Sequence, residues 1–485
     1  MSFTRPLAWL GTVALGLMLV TQVASAQIQV GDPRMNDVSR SLQEPHFGGS
    51  RNIHVLSHIP LGAWSHVMDL EMEQELSRPY VYVARADWNN DPNRPRQTGG
   101  AIQYLAETSK GVDIISIKDP THAKLIYSWR IPSGEIHEGT GGMDNKYFKL
   151  KGRYYDIQSL QFGNGPDGEV GAVVLDVTGL PDSTKVKELG RIAMSPQKGG
   201  FHNIFMYKHS DGRTLLFTNS MPVYDLEKYL AGAKDFGKIG EVPVPAGITV
   251  QAGRVAQYHD MYVGYDPVTH RDIFYGAGAG GYHVYDVTKP EDPKLITSIT
   301  GAAGVTGGHT FTPDPTGRYA VTETEYQWAP LRLFDLKPGF DGTVKNISRP
   351  IGAWQGTWNG DAHNHEVRWP YVFVSGYMDG LQVFNMMDPT NPYTVGYYYT
   401  CDCVLPAGAL GAGQNGGMDG AFGVDIRNAD GVIVISDRRS GFWAFRMDGF
   451  DGWNGHQWGV PNVSSVQDWD NGPDGAPKPS RVSVR

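Results

Sequence analysis

The sequence predicts an all-β chain folded as a single seven-bladed β-propeller, and three observations carry that prediction. Seven short apolar strands, most ending in Asp or Asn, begin near Gly111, Gly171, Pro222, Gly281, Pro330, Gly380 and Gly441, at intervals of 49 to 61 residues. Another apolar strand pair lies upstream of the copies, as at Tyr80 to Ala84, Tyr371 to Ser375 and Val432 to Ser436, so each interval holds about four strands, the content of one blade. Gly is abundant at 61 residues, aromatics reach 11% and charged residues only 19%, the composition of short strands joined by turns.

The first 26 residues read as a secretory leader rather than as part of the fold. Arg5 supplies the positive start, Leu7 to Val20 the apolar run, and Ala24, Ser25 and Ala26 a small-residue cleavage pattern before Gln27. The run is short for a bilayer span, and no cysteine follows the cleavage point to carry a lipid. The expected protein is therefore periplasmic or secreted, starting at Gln27. Residues 27–50 form an N-terminal extension, 51–450 the propeller and 451–485 a C-terminal extension that becomes Pro-, Gly- and Ser-rich after Asp468 and reads as a mobile tail.

The blades can be justified in turn. Gly111 to Ile126 aligns without a gap on Gly281 to Ile296, and Gly380 to Val395 gives a third copy. Each copy is a strand, a turn rich in Asp and Pro that ends it, and a further strand. Leu226 to Ala233 is the one segment that reads as a short helix. Blade seven, near Phe422 to Met447, lacks an outer strand, whereas residues 52–60 form an outer strand without a blade. Joining them completes blade seven from the N-terminus and removes two open edges.

The chain is modestly acidic, with 42 Lys and Arg against 51 Asp and Glu, and has no clustered basic stretch, which argues against a nucleic-acid partner. No later segment approaches the length of a membrane span. Two cysteines, Cys401 and Cys403, are too few to form a stabilising framework in an exported chain of this size. They are open to pairing, to free thiols or to copper ligation.

The strand-and-turn copies at 281–293 and 380–392 resemble those of LVIVD-repeat β-propellers, exported bacterial and archaeal proteins mostly without assigned activity. Ser65 with His66, Phe201 to Ile204, Tyr258 to Asp260, and Gly308 to Thr310 look like the histidine-bearing strands of the related choice-of-anchor B propellers. The resemblance covers roughly residues 50–450. It implies fold rather than chemistry. Selenium-binding-protein-like propellers, with a histidine copper site, are a more distant similarity, and none of their long motifs is found here.

The candidate site comes from the phase of the repeat. The blade-opening segments start near Ser65, Met143, Phe201, Tyr258, Gly308, Asn364 and Phe422. Five carry histidine at the aligned place, His66, His202, His259, His309 and His365, one carries Asp144 and the seventh Gly423. Equivalent positions on radially repeated strands share one height around the axis, so their imidazoles are expected to converge on a transition metal, with iron or copper favoured over zinc. Asp144, Asp260 and Glu366 are the expected second shell, with Glu323 and Glu325 following in blade five. His363, two residues before His365, is a sixth inward histidine and the candidate for proton transfer.

The bland alternative is that these histidines hydrogen-bond backbone and hold blades together. The Asp-rich stretches from Asp87 and from Asp468 do not match calcium-loop spacing and read as solvated turns. The Gly-rich run 407–423 lacks the strand-to-helix setting of a phosphate loop and reads as a flexible lid. The leading functional expectation is a metal-dependent oxidoreductase acting on a small molecule at one channel mouth. The alternatives are a non-enzymatic scaffold binding a protein or glycan through loops 86–110 and 401–422, and a zinc-dependent hydrolase or lyase.

Overall fold

The computed structural model describes residues 48–61, 67–86, 110–132, 141–161, 171–193, 200–248, 250, 255–326, 328–357, 361–401, 420–453 and 467–473. The leader, His66, Cys403 and the long loops at 87–109 and 402–419 lie outside them.

The described residues form seven antiparallel sheets, one for each repeat. Blade one runs outward through Val67–Met72, Tyr80–Arg85, Gly111–Ser116 and Lys124–Arg130. Blade two uses Gly141–Leu150, Arg153–Gln161, Gly171–Asp176 and Lys187–Ala193. Blade three uses Ile204–Lys208, Thr214–Thr218, Pro222–Asp225 and Lys238–Glu241. Blade four opens with Tyr258–Asp266, blade five with Thr310–Pro313, blade six with Asn364–Arg368 and blade seven with Ala421–Ile426.

Burial explains why the sequence takes this form. Middle strands such as Tyr80–Arg85 and Gly171–Asp176 are buried along their whole length, because neighbouring blades cover both faces. Their apolar side chains, with Tyr82, Ile114, Ile157, Val174 and Ile204 in one cluster, pack blade against blade rather than into one central core. The outer strand Lys124–Arg130 is only partly covered, with Lys124, Leu125 and Ser128 exposed and Trp129 alone buried. The repeated turns also share their chemistry: Asp119 and Asp388 each accept a bond at 3.0 Å from the N–H two residues on, Thr121 and Thr390. The expected helix is present as Leu226–Leu230, capped by the carboxylate of Asp225.

The ring closes as the sequence predicts. Ile53–Ile59 pairs antiparallel with Gly441–Met447, from Ile53 opposite Met447 to Ile59 opposite Phe442, and becomes the outer strand of blade seven. Two short additions were not foreseen. Gly48–Gly49 adds a fifth strand to blade six, and Asn346–Ile347 lies parallel to Lys294–Ile299 in blade four. Among the described residues no helix is long and apolar enough to cross a membrane.

Candidate metal centre

The inner strands place their side chains on the axis in tiers. Four of them carry a β-bulge near the axis, between Val67 and Leu70, Gly142 and Asn145, Tyr258 and Asp260, and Ala421 and Gly423. A bulge turns two successive side chains toward the same side, so strict alternation fails there. Blades five and six begin instead directly after His309 and His363, whose N–H groups bond Glu323 O and Ser375 O at 2.9 Å.

Four imidazoles meet in consecutive sectors of the top tier. Ring centroids lie 4.4 Å apart for His202 and His259, 3.9 Å for His259 and His309, and 4.9 Å for His309 and His363. The ring of Phe422 stacks on His363 at 3.5 Å and continues the tier into blade seven. Met68, Met143 and Phe422 belong to one buried apolar cluster with Tyr377. The tier is thus histidine over blades three to six and apolar over blades seven, one and two.

This arrangement corrects the expected register. His363, not His365, joins the convergence. His365 stands within the strand and, with Asn364 and Glu366, lines the chamber beneath the tier instead of joining the four imidazoles. In blade two the top position belongs to Met143, and Asp144 lies one step further along the axis, where it holds Lys146 Nζ at 2.6 Å. Blade one presents Met68 there, two residues beyond His66, which is outside the described residues.

The expected second shell also differs. Asp260 and Glu366 line a chamber beneath the tier instead of holding the histidines. The groups that orient the rings are others: His202 Nδ1 faces Gln161 Oε1 at 2.6 Å, His309 Nδ1 faces Glu323 Oε2 at 2.6 Å, and His363 Nδ1 faces the Phe422 carbonyl at 2.6 Å. Fixing Nδ1 on an acceptor sets the tautomer and aims Nε2, as ligating histidines require. No sequence signal marked Gln161 or the Phe422 carbonyl, since both come from other blades. Glu323 and Glu325 were visible as acidic neighbours of the His309 strand.

Glu325 completes the arrangement. Donor atoms of His259, His309 and Glu325 all lie within 4.8 Å of one another, the one such group among the described residues. Glu325 Oε2 stands 3.2 Å from His309 Nε2, yet that buried nitrogen has no hydrogen-bond partner. Two donors facing each other without an aligned hydrogen bond suit a shared cation, and two imidazoles with one carboxylate form the donor set of non-haem iron sites.

Electrostatics support the same view. Burial, followed by the nearby His309 charge, lowers His202 to about 3 and holds His259 and His363 well below the usual histidine range. These three are therefore neutral, the ligating form. Burial also opposes charge on His309, but Glu323 and Glu325 overcome it and raise His309 to about 10. The cluster thus stabilises one positive charge between Glu323 and Glu325, as a proton on His309 or as a metal ion.

Cys401 is disulfide-bonded, which removes it from the set of free thiols and copper ligands. The Asp468 turn is closed by its own carboxylate, which accepts the N–H groups of Asp470 and Asn471 and the side-chain amide of Asn471. The other Asp-rich stretch and most of the Gly-rich run lie outside the described residues.

No family model matches the chain, and no curated protein matches its sequence. Its fold is similar to solved structures of very different sequence. A structure of Raptor from Chaetomium thermophilum aligns at 12% identity and a TM-score of 0.51, over 93% of this chain and 33% of that one. A chain of the COPII outer coat vertex on membranes aligns at 9% identity and a TM-score of 0.50, over 79% of this chain and 84% of that one. This chain therefore spans about a third of the length of the first and most of the second. At such identities the likeness concerns the propeller fold alone.

Proposed function

We propose that this chain is an exported propeller of the LVIVD-repeat type that holds a transition metal on its axis and acts as an oxidoreductase on a small molecule. The observation that carries the reading is the convergence of His259, His309 and Glu325, with His309 Nε2 buried and lacking a hydrogen bond. A carboxylate among the donors favours iron over copper. His202 and His363 flank the same point, with Nδ1 of each held by its acceptor. The metal would supply Lewis acidity and an open position for oxygen or substrate.

The chain's own residues have separable roles. Glu323 orients His309, and Tyr377 holds Glu325 by a hydrogen bond from its phenol. His363 stands beside the metal position, with the rings of Phe422 and Tyr377 as its aromatic neighbours, and is placed to ligate or to move a proton. Phe422, Met68 and Met143 form a dry apolar wall beside the histidines.

Metal analysis of protein isolated from the periplasm without a histidine tag tests the proposal. The expected result is near-stoichiometric iron that is lost in a His259→Ala, His309→Ala double variant. A fully folded, metal-free protein would replace this reading with a scaffold binding protein or glycan. Stoichiometric zinc would replace it with a hydrolase or lyase. Recovery of unprocessed protein from the cytoplasm would remove the export step.

A further inference from the structure

Beneath the histidine tier the axis holds a chamber that the proposed centre does not use. Its volume is about 50 Å³, several times the ~10–15 Å³ that one water needs. Asp69, Glu71, Asp144, Asp260, Glu366 and Tyr262 line it, together with one ammonium, that of Lys146. Lys146 Nζ lies 2.6 Å from Asp144 and 3.7 Å from Glu71, and the Arg368 guanidinium binds Glu366 at 2.7 Å. Asp425 shares the Arg368 guanidinium at 3.3 Å, so six carboxylates have two cations between them, a deficit of four positive charges when all are ionised. Burial, then the negative charge of Asp144, raises Asp69 well above the carboxylate range, and burial does the same for Glu71.

A second feature points to an occupant. Tyr262 is only 4% exposed and lines the chamber close to Glu366, yet its hydroxyl has no hydrogen-bond partner. Besides Lys146, the lining has donors in Thr310, Thr312 and Asn364, but the Thr310 hydroxyl is engaged by Asn364 at 2.9 Å and the Asn364 amide by Asp69 at 2.8 Å, so acceptors predominate in the rest of the polar lining. A cluster of plain water needs donors as well as acceptors around it, whereas the waters around a cation present only donors to their surroundings. Carboxylate and hydroxyl oxygens also suit a hard ion and not the softer metal expected among imidazoles. No three carboxylates of the chamber converge closely enough to grip a bare ion, because the histidine group is the one such convergence among the described residues. An ion that keeps part of its water shell fits both the width and the chemistry.

We propose that the axial chamber binds a partly hydrated hard divalent cation, magnesium or calcium, through water bridges to Asp69, Glu71, Asp260 and the Tyr262 hydroxyl. Lys146 limits the affinity as a built-in competitor for the same carboxylates. The inference is independent of the histidine centre, since hard ions do not favour imidazole.

Calorimetric titration of Mg²⁺ and of Ca²⁺ into chelator-treated full-length protein tests it. One saturable site is expected, with affinity reduced about tenfold or more, at least ~1.4 kcal/mol, in Asp69→Asn or Glu71→Gln. Tyr262→Phe should weaken it less. Lys146→Met should tighten binding, which keeps the proposal falsifiable where an acidic variant fails to fold. The His259→Ala, His309→Ala double variant should bind the hard ion as the parent does. Absence of a saturable site, or affinity unmoved by Asp69→Asn, Glu71→Gln and Lys146→Met alike, overturns the proposal.

Discussion

Tyr377 donates its phenolic hydrogen to Glu325, and both residues hold left-handed backbone, with φ of 43° and 37°. Such conformations cost non-glycine residues on the order of 1–3 kcal/mol and persist only where the surroundings enforce them. Here a reciprocal pair of backbone bonds between Tyr377 and Ala421, at 2.9 and 2.8 Å, provides the enforcement. The two strained residues come from blades five and six, so their bond fixes a carboxylate across a blade boundary at the histidine tier.

Tyr377→Phe removes that bond without removing a ligand. Outer-sphere partners of this kind are worth about 10–100-fold in metal affinity. The expected outcome is iron retention reduced by that order, with stability lowered by ~1 kcal/mol. Unchanged retention during dialysis against a chelator would show that Glu325 is not a ligand.

The corrected register makes a sharp comparison between two histidines two residues apart. His363→Ala should lower metal content, because its ring stands 4.9 Å from that of His309. His365→Leu should leave metal content intact and change stability by less than ~1.5 kcal/mol, since its ring stands apart from the four imidazoles of the tier and a leucine of similar volume keeps the buried packing. The reverse pattern would restore the register expected from the sequence.

Why the sequence misled here is a matter of bulges. The strand-and-turn copies were legible because a turn Asp and a buried apolar strand leave the same mark in each blade, and the closing strand was legible because two incomplete blades imply each other. The tier was only partly legible. Counting from one blade to the next assumes a uniform phase, whereas the bulges at Met143, His259 and Phe422 and the late strand starts after His309 and His363 shift that phase by one or two residues. His202, His259 and His309 share a phase by the aligned pattern, but His365 does not. Glu325 reaches the site through a left-handed turn that no periodic rule describes.

Gly423 fills the seventh sector of the tier beneath the histidines, and no side chain fits there. A Cβ would lie 2.3 Å from Asp69 Oδ1 and 2.8 Å from Leu70 N. Gly423→Ala should cost about 1–3 kcal/mol through overpacking. It should also weaken any cation in the chamber by displacing Asp69. Denaturant midpoints compare the two proteins, and a variant as stable as the parent would mean that this sector is looser than described.

Closure of the ring rests on Ile53, which is buried against blades six and seven in a cluster with Phe373, Trp443 and Phe445. Ile53→Asp places a charge in that cluster and should destabilise the protein by ~3 kcal/mol or more. Loss of the strand would also bare the edge at Gly441–Met447 and favour edge-to-edge association. Size-exclusion profiles should then show oligomers, and a monomer of parental melting temperature would argue that the closing strand contributes little.

Asp156 sets a pH dependence that is independent of the metal. It is fully buried in blade two and accepts Asn145 Nδ2 at 3.0 and 3.2 Å. Burial raises its carboxyl to about 8; the Asn145 bond opposes this, while the charges of Glu73 and Asp144 reinforce it. The unfolded chain releases this proton near pH ~4, as an ordinary aspartate does. Between that pH and about 8 the folded state therefore carries a proton that the unfolded state lacks. Stability from this group is complete below pH ~4 and declines by up to ~1.4 kcal/mol per pH unit as the pH rises, levelling off once the folded carboxyl ionises. Asp260 and Asp425, each raised to about 7 chiefly by burial, act in the same direction. Asp156→Asn should remove one group's share, so that its urea midpoint falls less steeply than the parent's over this range. Parallel slopes in the two proteins would show that Asp156 is ionised in the native state throughout.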